Sequence, residues 1–175
     1  CGLAASHATA GVLYGVEYRS YNGRSGFAAS STMEVARDGY FGIKCLNGGA
    51  GKRKITWPLD VPAGHEIFDV RIWGDDVSDS NDLDFELVER CQPYASGDLI
   101  THTVLGSAGS SGSGGRFEAI LGLPSHPVQP STCTYTLEAT FAAAGAACDG
   151  SNLTVTRLTL ITNDPDVIFR DAFDR

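Results

Sequence analysis

The densest group of hard oxygen donors in the sequence is Gly74–Asp84 (GDDVSDSNDLD), which carries Asp75, Asp76, Asp79, Asn81, Asp82 and Asp84. Calcium takes roughly six to eight such oxygens, and a loop can wrap it, so calcium is the cofactor this stretch points to. The spacing is not that of an EF-hand, because no Gly stands at the sixth position of the run. The plainer reading is a solvated acidic turn between two strands, whose charge also discourages pairing between sheet edges.

Aromatic side chains form the second candidate set. Trp57 and Trp73, with Tyr14, Tyr18, Tyr21, Tyr40 and Tyr94, are the residues from which a sugar-stacking platform or a subunit contact would be built. Trp73 has the parity of Asp69 and Arg71, which predicts an outward-facing ring.

Catalytic signatures are absent from the sequence. The Gly/Ser tract Gly106–Gly115 contains no G-x-S-x-G elbow. His7, His65, His102 and His126 are scattered without zinc spacing, and His65-Glu66 is not followed by a second ligand histidine. Gly48-Gly49-Ala50-Gly51-Lys52 lies in a turn and does not open a helix, so it is no phosphate loop. Glu86 and Glu138 could stand on neighbouring strands at the roughly 5–10 Å separation of a glycosidase pair, but nothing separates them from solvent-facing charges. The expectation is a protein that is not an enzyme.

The elements that must hold these residues follow a period of two. Ile55, Trp57, Leu59 and Val61 alternate with polar residues or proline, as do Phe68, Val70 and Ile72, and Leu83, Phe85 and Leu87. The same holds for Phe117–Leu123, for Tyr135–Phe141, and for Tyr14, Val16 and Tyr18. Half-apolar runs of this kind are strands with one face buried. Asn22-Gly23, Asn47-Gly48-Gly49, Pro62-Ala63-Gly64, Ser96-Gly97-Asp98 and Asp149-Gly150-Ser151 supply regular turns, and only Ala142–Ala147 resembles helix. The fold class is all-β: an antiparallel β-sandwich or jelly roll. The tract Gly106–Gly115 reads as a long hairpin tip.

The 175 residues, 42% hydrophobic and 19% charged, suit one folded domain, divided here into an arm (1–11), a sandwich (12–162) and a tail (163–175). A net charge of −8 argues against nucleic acid as a partner, and no apolar run is long enough for a membrane helix. Cys1, Cys45, Cys91, Cys133 and Cys148 include no C-x-x-C pair and read as disulfides of an oxidising compartment. Cys91 shares parity with Phe85 and Leu87, and Cys133 with Tyr135 and Phe141. One ends a strand and the other begins one, so neighbouring antiparallel strands bring them together. Cys133 and Cys148 lie at opposite ends of a hairpin, too far apart to bond. The predicted pairs are Cys91–Cys133 and Cys45–Cys148. Cys1 is left over, for lipid or an intermolecular bond.

Residues 55–89 (ITWPLDVPAGHEIFDVRIWGDDVSDSNDLDFELVE) resemble a recurrent segment of exported bacterial β-sandwich domains, in which a Leu-Pro-x-Gly turn leads into a strand, an Asp-rich turn and a strand of the Leu-x-Val-x-Leu type. Residues 167–173 (VIFRDAF) are similar to the IFRDGF-like tail at the C-terminus of many exported proteins of Gram-negative bacteria, with Ala172 in place of the usual Gly. The resemblance implies an extracellular or outer-cell-surface location and no activity. The functional expectation is a structural or adhesive surface protein, a self-assembling pilus-like fibre subunit in which a strand around Val12–Tyr21 completes a neighbour's sheet. The alternative is a carbohydrate- or ligand-binding jelly-roll module with a calcium loop, and glycans as partners.

Overall fold

The computed structural model describes residues 15–38, 42–47, 53–92, 100–111, 114–141, 148 and 152–164. In chain order the strands are β1 (Gly15–Asn22), β2 (Phe27–Ala28), β3 (Glu34–Asp38), β4 (Gly42–Asn47), β5 (Lys54–Leu59) and β6 (Glu66–Asp76). They continue with β7 (Leu83–Cys91), β8 (Thr101–Gly109), β9 (Gly115–Pro127), β10 (Cys133–Phe141) and β11 (Leu153–Asp164). Every strand pairing is antiparallel. One sheet has the order β3-β4-β11-β6-β9, with β1 also on β11, and the other has the order β2-β5-β10-β7-β8. The fold is the antiparallel β-sandwich that the alternation predicts.

The core is made where the inward rows of the two sheets meet. Ile55, Trp57 and Leu59 of β5, Leu83, Phe85 and Leu87 of β7, and Leu137, Ala139 and Phe141 of β10 are all buried. They face Ile67, Val70 and Ile72 of β6, Phe117, Ala119 and Leu121 of β9, and Leu158 and Leu160 of β11. Phe85 and Phe117 join the two layers directly, with ring centroids 6.0 Å apart. Interdigitation of this kind is the ordinary way a sandwich excludes water.

Trp57 is fully buried, and its indole Nε1–H donates to the Gly23 carbonyl at 3.0 Å. It is therefore a core residue and not a ligand platform, because its strand alternates inward at that position. A Cβ at Gly26 would land on the indole ring, so the short 3-10 turn Gly23–Ser25 and its exit can press against Trp57 only with glycine there.

Two disulfides staple the sandwich. Cys91 and Cys133 are directly opposite one another on β7 and β10, and Cys45 of β4 bonds Cys148. Both pairs are those expected. Cys1 and the arm 1–11 lie outside the described residues, as do 165–175 of the tail and Ala142–Ala147.

Three expectations change. β1 pairs with β11 of its own chain along Gly15–Asn22, so the strand proposed to complete a neighbour's sheet completes this one. β11 runs on to Asp164 because Asn163 and Asp164 are partnered by Val16 and Gly15; they belong to the sandwich and not to the tail. Gly106–Gly115 is no hairpin tip within one sheet: β8 and β9 lie in different sheets, and the chain crosses the sandwich between them.

Gly26→Ala should lower stability by about 1–3 kcal/mol, since the added methyl forces the turn off the Trp57 ring. Urea unfolding should show a lower midpoint with an unchanged slope; an unaltered midpoint would contradict the packing described.

Candidate binding face

The outer face of the larger sheet is arranged in rungs across β1, β11, β6 and β9. Asn22, Arg157, Trp73 and Glu118 are register partners in one rung. Ser20, Thr159, Arg71 and Ile120 form the next, and Tyr18, Ile161, Asp69 and Gly122 the one beyond. The outward rows thus bring together residues from positions 16 to 163 that no local motif connects.

At one end Trp73 is half-buried and held in place: the Arg157 guanidinium stacks over its ring, 3.9 Å from the centroid. Beside it opens a cleft of about 620 Å³ lined by Ser20, Asn22, Trp73, Asp75, Arg116 and Arg157 among others. Arg116 Nε lies 3.8 Å from Asp75 Oδ1. In the middle, Arg71 donates from Nε to Asp69 Oδ2 at 3.2 Å, and its Nη1 lies 3.9 Å from Glu118 Oε1. The hydroxyls of Ser20 and Thr159 bond at 3.0 Å.

At the other end Tyr18 is 69% exposed and Phe68 58%, with Val16 exposed beside them. A second cleft, of about 370 Å³, is lined by these three with Asp69, Arg71, Ile161, Thr162 and Asn163. Asp69 itself is buried.

Of the residues singled out from the sequence, Trp73 is on this face as its parity predicts. Tyr18, another member of the aromatic set, is on it too, whereas Phe68, Asp69, Arg71 and Arg157 are not marked as its partners by any local pattern. The alternation of Val16 and Tyr18 predicts that their side of β1 faces a core, yet the other side does, with Tyr21 packed against the core. The alternation places Phe68 on a face with Val70 and Ile72, and it is not there, because it is bulged out of register: Ile67 and Asp69 pair with the successive residues Thr162 and Ile161 of β11 while Phe68 has no partner, and on β9 the ladder is interrupted between His126 and Gly122.

The acidic loop is not gathered into a cation shell. Alternation at the end of β6 separates its two aspartates. Asp76 turns inward and is buried, accepting from the Ser110 hydroxyl and from Ser78 N–H at 3.1 Å. Ser110 Oγ in turn accepts from Leu83 N–H at 2.8 Å, so Asp76 ties together the ends of β6, β7 and β8. Asp75 faces Arg116, Asp84 stands exposed on β7, and Asp79, Asn81 and Asp82 lie in the turn between. Among the described residues, the one set of three His, Cys or carboxylate donors within 4.8 Å of one another is Glu89, Cys91 and Cys133, and its sulfurs are spent on a disulfide.

Two of the histidines are structural. His65 is buried, its Nδ1 3.2 Å from Thr162 Oγ1, and His126 Nε2 lies 3.0 Å from Glu89 Oε1. Glu89 also accepts from the Tyr135 hydroxyl at 2.8 Å. That phenol is pushed up to about 12, by burial first and then by the carboxylate beside it, against the Gln129 N–H that it accepts.

What the fold defines is a disulfide-stapled antiparallel β-sandwich with one outward sheet face of mixed aromatic and charged character. No family model matches the sequence, and no curated protein matches it. Over 82% of its length the chain is similar to the solved CBM36-1 domain of a multidomain xylanase from the hindgut metagenome of Trinervitermes trinervoides. That match covers 96% of the domain, with a TM-score of 0.46 and 14% identity.

The opposite outer face carries the carboxylate pair considered for glycosidase chemistry. Glu86 and Glu138 are cross-strand partners, but Lys54 Nζ stands between them, 2.9 Å from Glu86 and 2.8 Å from Glu138. Arg90 also donates to Glu138. Burial works to raise the Glu138 pKa, yet the hydrogen bonds from Lys54 and Arg90 outweigh it and hold the carboxyl below the usual carboxylate range. A glycosidase acid needs the reverse shift.

Because the folded value is depressed, Glu138 contributes stability that is present at neutral pH. That contribution is lost as pH falls below about 4.3 and through the folded value. Glu138→Gln should cost about 1–2 kcal/mol at pH 7, reduced from a fully buried cluster because Lys54 and Arg90 reach solvent. It should also flatten the acid side of the stability profile. Equal steepness in both proteins below pH 4.5 would contradict this.

Proposed function

We propose that the chain is a non-catalytic, extracellular binding module that takes an extended glycan across the outer face of its larger sheet. The observation that carries this reading is the order of side chains along that face: Trp73 with Arg157 and Glu118, then Arg71 with Ser20, then Asp69 below Tyr18 and Phe68. A pyranose ring presents apolar C–H faces and a rim of hydroxyls. Flat aromatic bodies receive the first, and carboxylates, guanidinium and hydroxyls receive the second.

The length of the face fits a polymer better than a single sugar. Four residues of β6 separate Asp69 from Trp73, roughly 13 Å of strand, so the two clefts would accept different units of one chain. Two disulfides and the likeness of residues 167–173 to exported proteins support an extracellular setting.

Affinity electrophoresis against a panel of soluble polysaccharides, followed by calorimetry on the best oligosaccharide, tests the reading. Trp73→Ala should weaken binding at least tenfold, about 1.4 kcal/mol, while circular dichroism and melting stay near wild type. Glu86→Gln, on the opposite face, should leave binding unchanged. Retardation by no polysaccharide, or equal loss from both variants, would overturn the assignment.

A further inference from the structure

Two buried side-chain oxygens that lack a hydrogen-bond partner, Asp69 Oδ1 and Asn163 Oδ1, belong to residues lining the same cleft. Asp69 is only 6% exposed, and its other oxygen is held by Arg71. A buried carboxylate oxygen without a donor is costly, and natural interiors carry few such atoms. Arg71 does not neutralise the site, because the same guanidinium also faces Glu118. Two carboxylates share one cation, and the group keeps one negative charge. Above it stand the rings of Tyr18 and Phe68, whose faces attract a cation.

A hydroxyl would satisfy the lone oxygen but leave the charge. A guanidinium would duplicate Arg71 in a cleft that already holds one. A primary ammonium supplies three donors and the missing positive charge in a compact group. Resting on the glycan reading above, we propose that the unit bound between Tyr18 and Phe68 is an amino sugar with a free amine. Its ammonium donates to Asp69 and Asn163. The module is thereby selective for de-N-acetylated hexosamine units over their N-acetylated or neutral counterparts, which lack the charge.

Calorimetry at pH 6 with three oligosaccharides of equal length, built from glucosamine, N-acetylglucosamine and glucose, tests this. The wild type should bind the glucosamine form at least tenfold more tightly than either other, with the preference shrinking as salt rises. Asp69→Asn should bind all three alike, and Phe68→Ala, at an exposed position, should lose most of the preference without loss of fold. Asp84→Asn removes one charge from the opposite sheet and should keep the preference. A preference that survives Asp69→Asn, or that falls equally with Asp84→Asn, would show general attraction of a polycation to an acidic protein and overturn the amine site. Equal binding of the three by the wild type would also overturn it while leaving the glycan reading intact. Binding of none of the three, together with silence across the polysaccharide panel, would remove both.

Discussion

The single extra residue that β6 carries against β11 is the constraint on which the rest of the molecule depends. β6 is an interior strand of its sheet and pairs with β11 on one side and with the edge strand β9 on the other. Ile67 and Val70 are three residues apart, so in a regular strand they would point to opposite faces. The bulge at Phe68 removes that conflict: Ile67, Val70 and Ile72 all reach the core, while Asp69, Arg71 and Trp73 all reach the outer face. One unpaired position therefore sets both the continuity of the core and the line of the candidate binding face. It also ejects Phe68 into solvent, where it becomes one wall of a cleft.

The core that this register completes is closed by contacts far apart in sequence. Trp57 fills the space under the turn at Gly23–Ser25, Phe85 meets Phe117 across the layers, and Asp76 clamps three strand ends through Ser110. The disulfides span 42 and 103 residues of chain, and cross-links over such lengths remove much freedom from the unfolded state. A sandwich made mostly of non-local pairings profits from that restraint, because it must close long loops before any contact rewards it.

Alternation made most of this legible in advance. Ile55, Trp57 and Leu59, Leu83 to Leu87, Phe117 to Leu123 and Tyr135 to Phe141 lie inward as their spacing says, and parity together with their places at strand ends pairs Cys91 with Cys133. The candidate site was far less legible. Trp73 could be assigned outward, but Arg157, which fixes its ring, is brought to it only by the register of β11 on β6. A bulge leaves no mark in a run such as EIFDVRIW, since Phe68 and Ile67 are equally apolar. The side of β1 that faces the core and the inward turn of Asp76 are no more legible. Which side of an edge strand faces the core, and whether a carboxylate at a strand end turns in, are decided by neighbours and not by the local pattern.

The two outer faces of the sandwich treat buried charge in opposite ways, and the contrast bears on which face meets a ligand. On the smaller sheet, Lys54 bridges Glu86 and Glu138 while Arg90 holds the second oxygen of Glu138, so the cluster is complete within the chain. Such closure leaves nothing for a ligand to supply, and a solvated polymer would have to break existing bonds to enter. On the larger sheet, Arg71 is divided between Asp69 and Glu118, one oxygen of Asp69 has no donor, and exposed aromatic rings stand beside it. Unmet hydrogen bonding and unmet apolar area at one place raise the free energy of the empty face. A bound group that supplies a donor, a positive charge and a flat apolar surface relieves all of these together, which is why the larger sheet, with its aromatic ends, is the face assigned to the glycan.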